Sequence, residues 1–313
     1  MASNPFSVAA IGTHIPARSI DNLTSRVERL QYDAEALRTK IGILATARKE
    51  PDQETSDLCV LAFNDLAEKL GDALRKDEID LIVVVTQHPD GFGLPHTSAI
   101  LHGKLGMARS CFAFDISLGC SGFVAGLAAV SGYLMATGGK RALLFTCDPY
   151  SKSVSEDDRN TAMIFGDAAT VSLIEPGSDW QIGAFDLGTD GKSYKALERD
   201  AAGVLRMEGR AVFNFCALTV PGSVKAALEK NGITKEDVDR FVLHPGSKYI
   251  VDTVAKRLDI PAPSALDCET YGNTVSSSLP LILSTLDRKA ARTILLSGFG
   301  VGLGWATCVL KSE

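Results

Sequence analysis

The sequence predicts an α/β protein built from two copies of one unit, and three observations carry that prediction. Strongly hydrophobic, β-branched runs such as LIVVV alternate with amphipathic stretches of helical period along the chain. Those runs lack a polar alternation, which is the pattern of strands in sheets covered on both faces. Segments of the first half then recur in the same order in the second. At 313 residues, 45% of them hydrophobic and 22% charged, the chain is long for one core and ordinary in composition for a globular protein.

The first recurring segment is KDEIDLIVVV at 76–85, which returns as KEDVDRFVLH at 235–244, an offset of 159 residues. Each copy follows an amphipathic helix, NDLAEKLGDAL or SVKAALEKNGI, and reads as a capped turn leading into a buried strand. Next, AFDISLGCSGFVAGL at 113–127 corresponds to ALDCETYGNTVSSSL at 265–279. RALLFT at 141–146 corresponds to RTILLS at 292–297, an offset of 151, and the strand DAATVSLIE at 167–175 to GWATCVLKS at 304–312. The boundary falls in PGSDW at 176–180, giving an N-terminal half 1–176 and a C-terminal half 177–313. Neither half contains a flexible or low-complexity linker, so the two are expected to pack as one layered body.

Composition narrows the function classes. The seven cysteines show no CxxC pair and no zinc spacing, which predicts a reducing, cytoplasmic setting without disulfides and no metal site. The start MASNPFSVAAIG lacks the basic and long apolar regions of a signal peptide. No apolar run approaches the roughly 20 residues of a membrane span; the segment 122–136 comes closest and is rich in Gly, Ala and Ser. A net charge of −6 gives no electrostatic footprint for nucleic acid.

Cys120 stands apart from the other cysteines. It closes the strand-like AFDISLGC and opens the apolar helix GFVAGLAAVSGYLMATGG. The first N–H groups of a helix lack intrahelical partners and carry the positive end of its dipole, so a thiol there is expected to ionise easily. Cys59, Cys111, Cys147, Cys216, Cys268 and Cys308 read as small buried hydrophobes. The duplication places Cys120 and Asn273 at equivalent glycine-flanked turns, and His244 ends the second copy of the strand whose first copy ends near Val85. Strand ends of both halves can therefore deliver Cys, His and Asn to one cleft. An activated thiol with donors for an oxygen-centred negative charge is what nucleophilic acyl chemistry on a thioester needs. His88, in TQHPDG, also follows a hydrophobic strand and is the competitor to His244; with His14, His96 and His102 it reads as structural or surface.

From VAAIGTHIPARSIDN through LRTKIGI, AFDISLGCSGF, DRNTAMIFGDAAT, the strand ending in His244, and YGNTVSSSLP to SGFGVGLGWAT, the chain resembles β-ketoacyl-acyl carrier protein synthase III of the thiolase superfamily. The resemblance implies a thiolase-like fold of duplicated βαβαβαββ halves in a five-layered αβαβα body. It also implies a homodimeric acyltransferase without a cofactor, acting on acyl-CoA and acyl carrier protein. Cys120 would then take the acyl group from acyl-CoA. His244 and Asn273 would stabilise the enolate formed as malonyl-acyl carrier protein loses CO₂, and that carbanion would attack the acyl-Cys120 carbonyl. The backbone N–H groups of Cys120 and Val301 would form the oxyanion hole, with Gly298, Gly300 and Gly302 permitting close backbone approach. A dinucleotide reading of the same Gly-rich run is poor, because the run leads into a strand.

Departures from the family pattern bear on substrate. Relatives often carry Trp before TRTGI, stacked on the CoA adenine, where this chain has Ala36. Arg159 matches the arginine on the adenine's other face, and Lys40 is placed to meet a phosphate. Basic positions that dock the acidic carrier protein are Asn214 and Tyr249 here, with Lys248, Lys256 and Arg257 as candidates to compensate. Leu94 stands where relatives that prefer acetyl primers commonly place Phe at the dimer contact, which predicts a primer longer than acetyl. The altered docking positions leave acyl transfer without decarboxylation as an alternative, which retention of Asn273 argues against. Retention of Cys, His and Asn argues likewise against a subunit that only shapes a partner's pocket in a heterodimer.

Overall fold

In the computed structural model, which describes residues 4–263 and 266–312, nine strands form one large mixed sheet. The N-terminal half supplies Phe112–Ile116, Leu81–Val85, Ala142–Cys147, Ala169–Pro176 and Phe6–His14, in that spatial order. Gln181–Thr189, Gly304–Lys311, Thr293–Gly300 and Arg240–Leu243 continue it from the C-terminal half. The two half-sheets meet through Ser7 and Gln181, and residues 177–180 carry the chain from one to the other. In each half a parallel pair adjoins an antiparallel strand, so the second half-sheet mirrors the first.

The duplication reaches individual side chains. Lys76–Glu78 and Lys235–Asp237 are both 3₁₀ turns leading into the parallel strands. Asp80 accepts hydrogen bonds from the N–H groups of Lys140 and Arg141, and Asp239 accepts from Arg292 and Thr293 in the same manner. These bonds also correct the repeat. Ala142 lies beside Leu81 and Ile294 beside Arg240, so the strands after the central helices superpose at an offset of 152, not 151. A one-residue slip in a strand turns every side chain to the other face. Runs buried on both faces carry no polar alternation by which sequence alone can set that register.

Helices Thr55–Leu70 and Thr97–Leu105 cover the outer face of the first half-sheet, and Gly209–Lys230 with Lys248–Leu258 covers that of the second. Gly122–Thr137 and Ser278–Ser284 lie between the half-sheets. The result is the expected αβαβα layering, with three apolar cores: one under the outer helices of each half and one around the central helices between the half-sheets. Val124, Leu127 and Leu134 fill the middle one together with Leu279 and Ile282.

Two expectations need correction here. The counterpart of strand Phe112–Ile116 is not a strand among the described residues of the second half, which contributes four strands to the sheet. Ala265, the start of that matched copy, lies outside the described residues, as do residues 1–3. Second, Gly209–Lys230, not 122–136, is the helix long and apolar enough to cross a membrane by length and composition, although Asn214, Pro221 and Ser223 interrupt any continuous apolar run. Its apolar face packs on three strands of the second half-sheet and on helix Lys248–Leu258.

Candidate active site

Strand ends from both halves converge on a cavity of about 510 Å³ lined by Cys120, His244 and Asn273, with Lys40 and Arg159 also in its wall. Cys120 sits in the turn that feeds helix Gly122–Thr137, whose Gly122 N–H bonds Gly119 O at 2.7 Å. The strand Thr293–Gly300 runs directly beneath it. A Cβ on Gly300, whose φ is +158°, would stand 2.8 Å from the thiol sulfur, and one on Gly298 would stand 2.5 Å from Cys120 O. No side chain fits at either position. This approach brings the Val301 N–H to the Cys120 sulfur, where it acts together with the N–H of Cys120 itself. Two backbone donors thus lie at the sulfur of the buried thiol.

The thiol does not ionise easily, contrary to the expectation from its helix start. Complete burial, reinforced by the nearby Asp148 carboxyl, pushes it up to about 12 despite the two N–H donors. Desolvation exceeds the contribution of the helix start, and among the described residues no cation acts on the sulfur to replace its water.

His244 continues its strand through a 2.9 Å bond from its N–H to Ser297 O, and its ring meets Phe299 edge-on with centroids 5.8 Å apart. Burial lowers the imidazole to about 3, and its Nδ1 is buried without a hydrogen-bond partner. The ring is therefore neutral at physiological pH. A neutral imidazole can donate one N–H to a developing enolate without delivering a proton prematurely.

Asn273 is held across the two halves. Its N–H bonds Ile164 O and its carbonyl accepts from Gly166 N–H, both at 2.9 Å. Gly166 is obligatory there, since a Cβ would lie 1.8 Å from Tyr271 O. The Asn273 Oδ1 accepts from Val275 N–H at 2.9 Å and from Ser278 Oγ at 3.4 Å. The amide nitrogen is left as the donor on the side chain that lines the cavity.

Of the remaining sequence candidates, Arg159 and Lys40 lie at the mouth and the others do not. Lys248 turns away to pair with Asp252 at 3.1 Å. Lys256 and Arg257 are exposed in the last turn of helix Lys248–Leu258, whose opposite end lines the cavity, so roughly 12 Å of helix separates them from the mouth. Leu94 is 94% exposed and lines no part of the cavity in a single chain. His88, the competing histidine, is buried with Nε2 2.9 Å from Ser153 Oγ, away from the cavity wall.

Three features escaped the sequence. Tyr32 lies with its ring 5.3 Å from the Arg159 guanidinium carbon, four residues before Ala36, so an aromatic face is kept at the mouth after all. Arg210 adds a third cation to the lining residues. Phe213 stacks on Tyr249 at 4.9 Å and 16°, forming an aromatic edge that only the packing of two helices could reveal.

The two buried histidines make stability depend on pH. His88 and His244 both titrate near 3 in the folded chain and near 6.5 when unfolded, so the unfolded chain binds more protons between those values. Stability from keeping them neutral is complete above 6.5 and is lost as pH falls towards 3. By pH 5 the loss is about 2 kcal/mol for each. Urea titrations at pH 7 and pH 5 should show His88→Gln losing less stability than wild type by that amount; equal losses would contradict a neutral buried His88.

A duplicated layered fold with a cavity where the strand ends of both halves meet defines the class of thiolase-like condensing enzymes. Residues 114–191 match the family described as 3-oxoacyl-[acyl-carrier-protein (ACP)] synthase III, and residues 228–312 match its C-terminal portion. A β-ketoacyl-[acyl-carrier-protein] synthase III of Streptococcus thermophilus is 33% identical over 97% of this chain and 98% of its own. The β-ketoacyl-[acyl carrier protein] synthase III structure from Thermus thermophilus superposes with a TM-score of 0.89 at 30% identity, covering 98% of this chain and 99% of that one. A priming β-ketosynthase of a polyketide biosynthetic pathway superposes at 0.88 and 27% identity, covering 99% and 97%. The chain belongs to the β-ketoacyl-[acyl-carrier-protein] synthase III family and is a condensing acyltransferase of that type.

Proposed function

We propose that Cys120 takes the acyl group of an acyl-CoA and that His244 and Asn273 then serve a decarboxylative condensation with malonyl-acyl carrier protein. The carrying observation is the charge of the cavity. In a protein of net charge −6, its lining includes Lys40, Arg159 and Arg210 at the mouth and, among the described residues, no carboxylate. Cations at the mouth of an apolar cavity suit a donor with a phosphorylated body and an apolar acyl end.

Cys120 Sγ attacks the thioester carbonyl carbon, with the oxyanion held by the N–H groups of Cys120 and Val301. The C–S bond to CoA breaks, and the thiol proton leaves with the CoA sulfur. Loss of CO₂ from the malonyl thioester places an electron pair in an enolate whose oxygen is bound by His244 and Asn273. Its carbon attacks the acyl-Cys120 carbonyl, and collapse expels the Cys120 thiolate with the β-ketoacyl thioester as product; the thiolate takes one proton from solvent to restore the thiol. No cofactor enters these steps.

Edge strand Phe112–Ile116 supports a homodimer. Phe112 is exposed and stacks on Tyr133 at 5.8 Å, while Met135, Phe92 and Leu94 are exposed as well. An apolar sheet edge of this kind calls for a cover. A second copy would provide it and would carry Leu94 to its partner's cavity, where a side chain smaller than Phe leaves room for a primer longer than acetyl. A cytoplasmic setting fits seven cysteines that are all buried and unpaired.

A second reading, acyl transfer without decarboxylation, is favoured by one observation. The aromatic edge of Phe213 and Tyr249 occupies the mouth where a carrier protein would need cations. Intact-mass analysis after incubation with acetyl-, hexanoyl- and octanoyl-CoA, followed by CO₂ measurement on adding malonyl-acyl carrier protein, tests both readings. The expected result is one covalent adduct, formed faster from the longer donors, and CO₂ release. No adduct with any donor overturns the proposal, a preference for acetyl overturns the primer length, and an adduct without CO₂ release selects the second reading.

A further inference from the structure

Apart from raising the nearby thiol, the wholly buried Asp148 takes no step in the chemistry above, yet it ties the two halves together beside the nucleophile. It follows the strand Ala142–Cys147, and its two oxygens face opposite halves. Oδ1 accepts the Gln87 N–H at 2.6 Å, at the end of strand Leu81–Val85. Oδ2 accepts the hydroxyl of Ser276 at 2.5 Å, from the second half. No cation pairs with Asp148 among the described residues, and burial pushes its carboxyl up to about 7.

The repeat explains this placement. At the structural offset of 152, Asp148 is equivalent to Gly300 and Thr146 to Gly298. Gly298 and Gly300 form the floor under Cys120. Across the pseudo-two-fold axis, the Thr146 carbonyl accepts from Ser277 Oγ at 2.9 Å while Asp148 binds Ser276. Each strand end therefore supports the turn that opens the other half's central helix. One turn carries Cys120 and the other Asn273.

The Asn273 turn needs support. Val275 adopts φ +57°, a left-handed conformation that costs a β-branched residue on the order of 1–3 kcal/mol. It lies between Asn273, whose Oδ1 bonds its N–H, and Ser276, which Asp148 holds. Releasing Ser276 lets residues 274–276 relax and carries the Asn273 amide with them.

We propose that Asp148 is a positioning residue for the condensation half-reaction, fixing the 273–277 turn through Ser276 so that the Asn273 amide faces the enolate oxygen. The proposal rests on Asn273 serving the decarboxylation step. Its test separates the half-reactions in Asp148→Ala, Asp148→Asn, Ser276→Ala and Asn273→Ala. Acyl loading is followed by intact mass in a single turnover, and CO₂ release from malonyl-acyl carrier protein is followed under saturation.

Asp148→Ala should load Cys120 at least as fast as wild type, since a carboxyl that helps keep the thiol protonated is gone, and release CO₂ about 10- to 100-fold more slowly, as displacement of a reacting-site group by a fraction of an ångström does. Asp148→Asn keeps an acceptor for Gln87 N–H and offers a donor to Ser276 Oγ, so most of the rate should return. Ser276→Ala breaks the same link without touching the carboxyl and should show the same split, which keeps the proposal testable should Asp148→Ala fail to fold. Equal slowing of both half-reactions, or of neither, in Ser276→Ala, or CO₂ release as slow in Asp148→Asn as in Asp148→Ala, overturns the role of Asp148. Wild-type rates of CO₂ release in Asn273→Ala overturn the reading of Asn273, and the role of Asp148 with it.

Discussion

Cys120→Ala is expected to form no acyl adduct and to lower condensation by on the order of 10⁴-fold or more, the scale of losing a covalent nucleophile. The fold should survive. Alanine keeps the Cβ that packs against Gly300 and deletes only a sulfur in an otherwise apolar wall. Cys216 supplies the control, because it lines the same cavity and burial also pushes its thiol up to about 12. Cavity access and thiol acidity therefore do not distinguish the two cysteines. Each sulfur has its own backbone N–H beside it, and what distinguishes Cys120 is the second donor, the N–H of Val301. Cys216→Ala should keep both the adduct and the activity. An adduct that persists in Cys120→Ala, or one lost in Cys216→Ala, would assign the acyl group to the wrong sulfur.

The layered fold and the meeting of Cys120, His244 and Asn273 were legible because they follow from order along the chain. A duplication read from strand and helix periodicity puts equivalent strand ends around one axis, and no side-chain detail is needed for that. Details that depend on which face a residue takes were not legible. The strands after the central helices slip by one residue because buried strands of Val, Ile and Leu have no polar face to mark them. The acidity of Cys120 is hidden from the sequence for a related reason. A helix start is visible in AFDISLGCSGF, but the depth at which the second half buries it is not. Lys256 and Arg257 illustrate the same limit at the surface, since VAKRLDI does not say which end of its helix points to the cavity. Asp148 did leave a mark in the sequence: a carboxylate that closes a six-residue apolar strand, at the position where the other half has Gly300.

Asn273→Ala and His244→Ala are each expected to reduce CO₂ release by about 10²- to 10³-fold, the usual cost of one donor to a developing oxyanion in a dry site. The two should differ in loading. The Asn273 amide nitrogen has no place in the first half-reaction, so Asn273→Ala should still accumulate acyl-Cys120. His244 lines the same cavity as a thiol that ionises only near 12, while its own ring protonates only near 3. Neither group is charged at neutral pH, so thiol deprotonation must accompany attack on the thioester, with the neutral imidazole able to relay the proton from the thiol to the leaving CoA sulfur. His244→Ala should therefore slow loading as well as decarboxylation. Because the two donors serve one oxygen, the double variant should lose less than the product of the single losses. Single-turnover loading and malonyl decarboxylation measured on all three variants check this pattern. Should Asn273→Ala slow loading as much as decarboxylation, its function would lie in the bonds of Oδ1 to Val275 and Ser278, which shape the turn, rather than in the nitrogen facing the cavity.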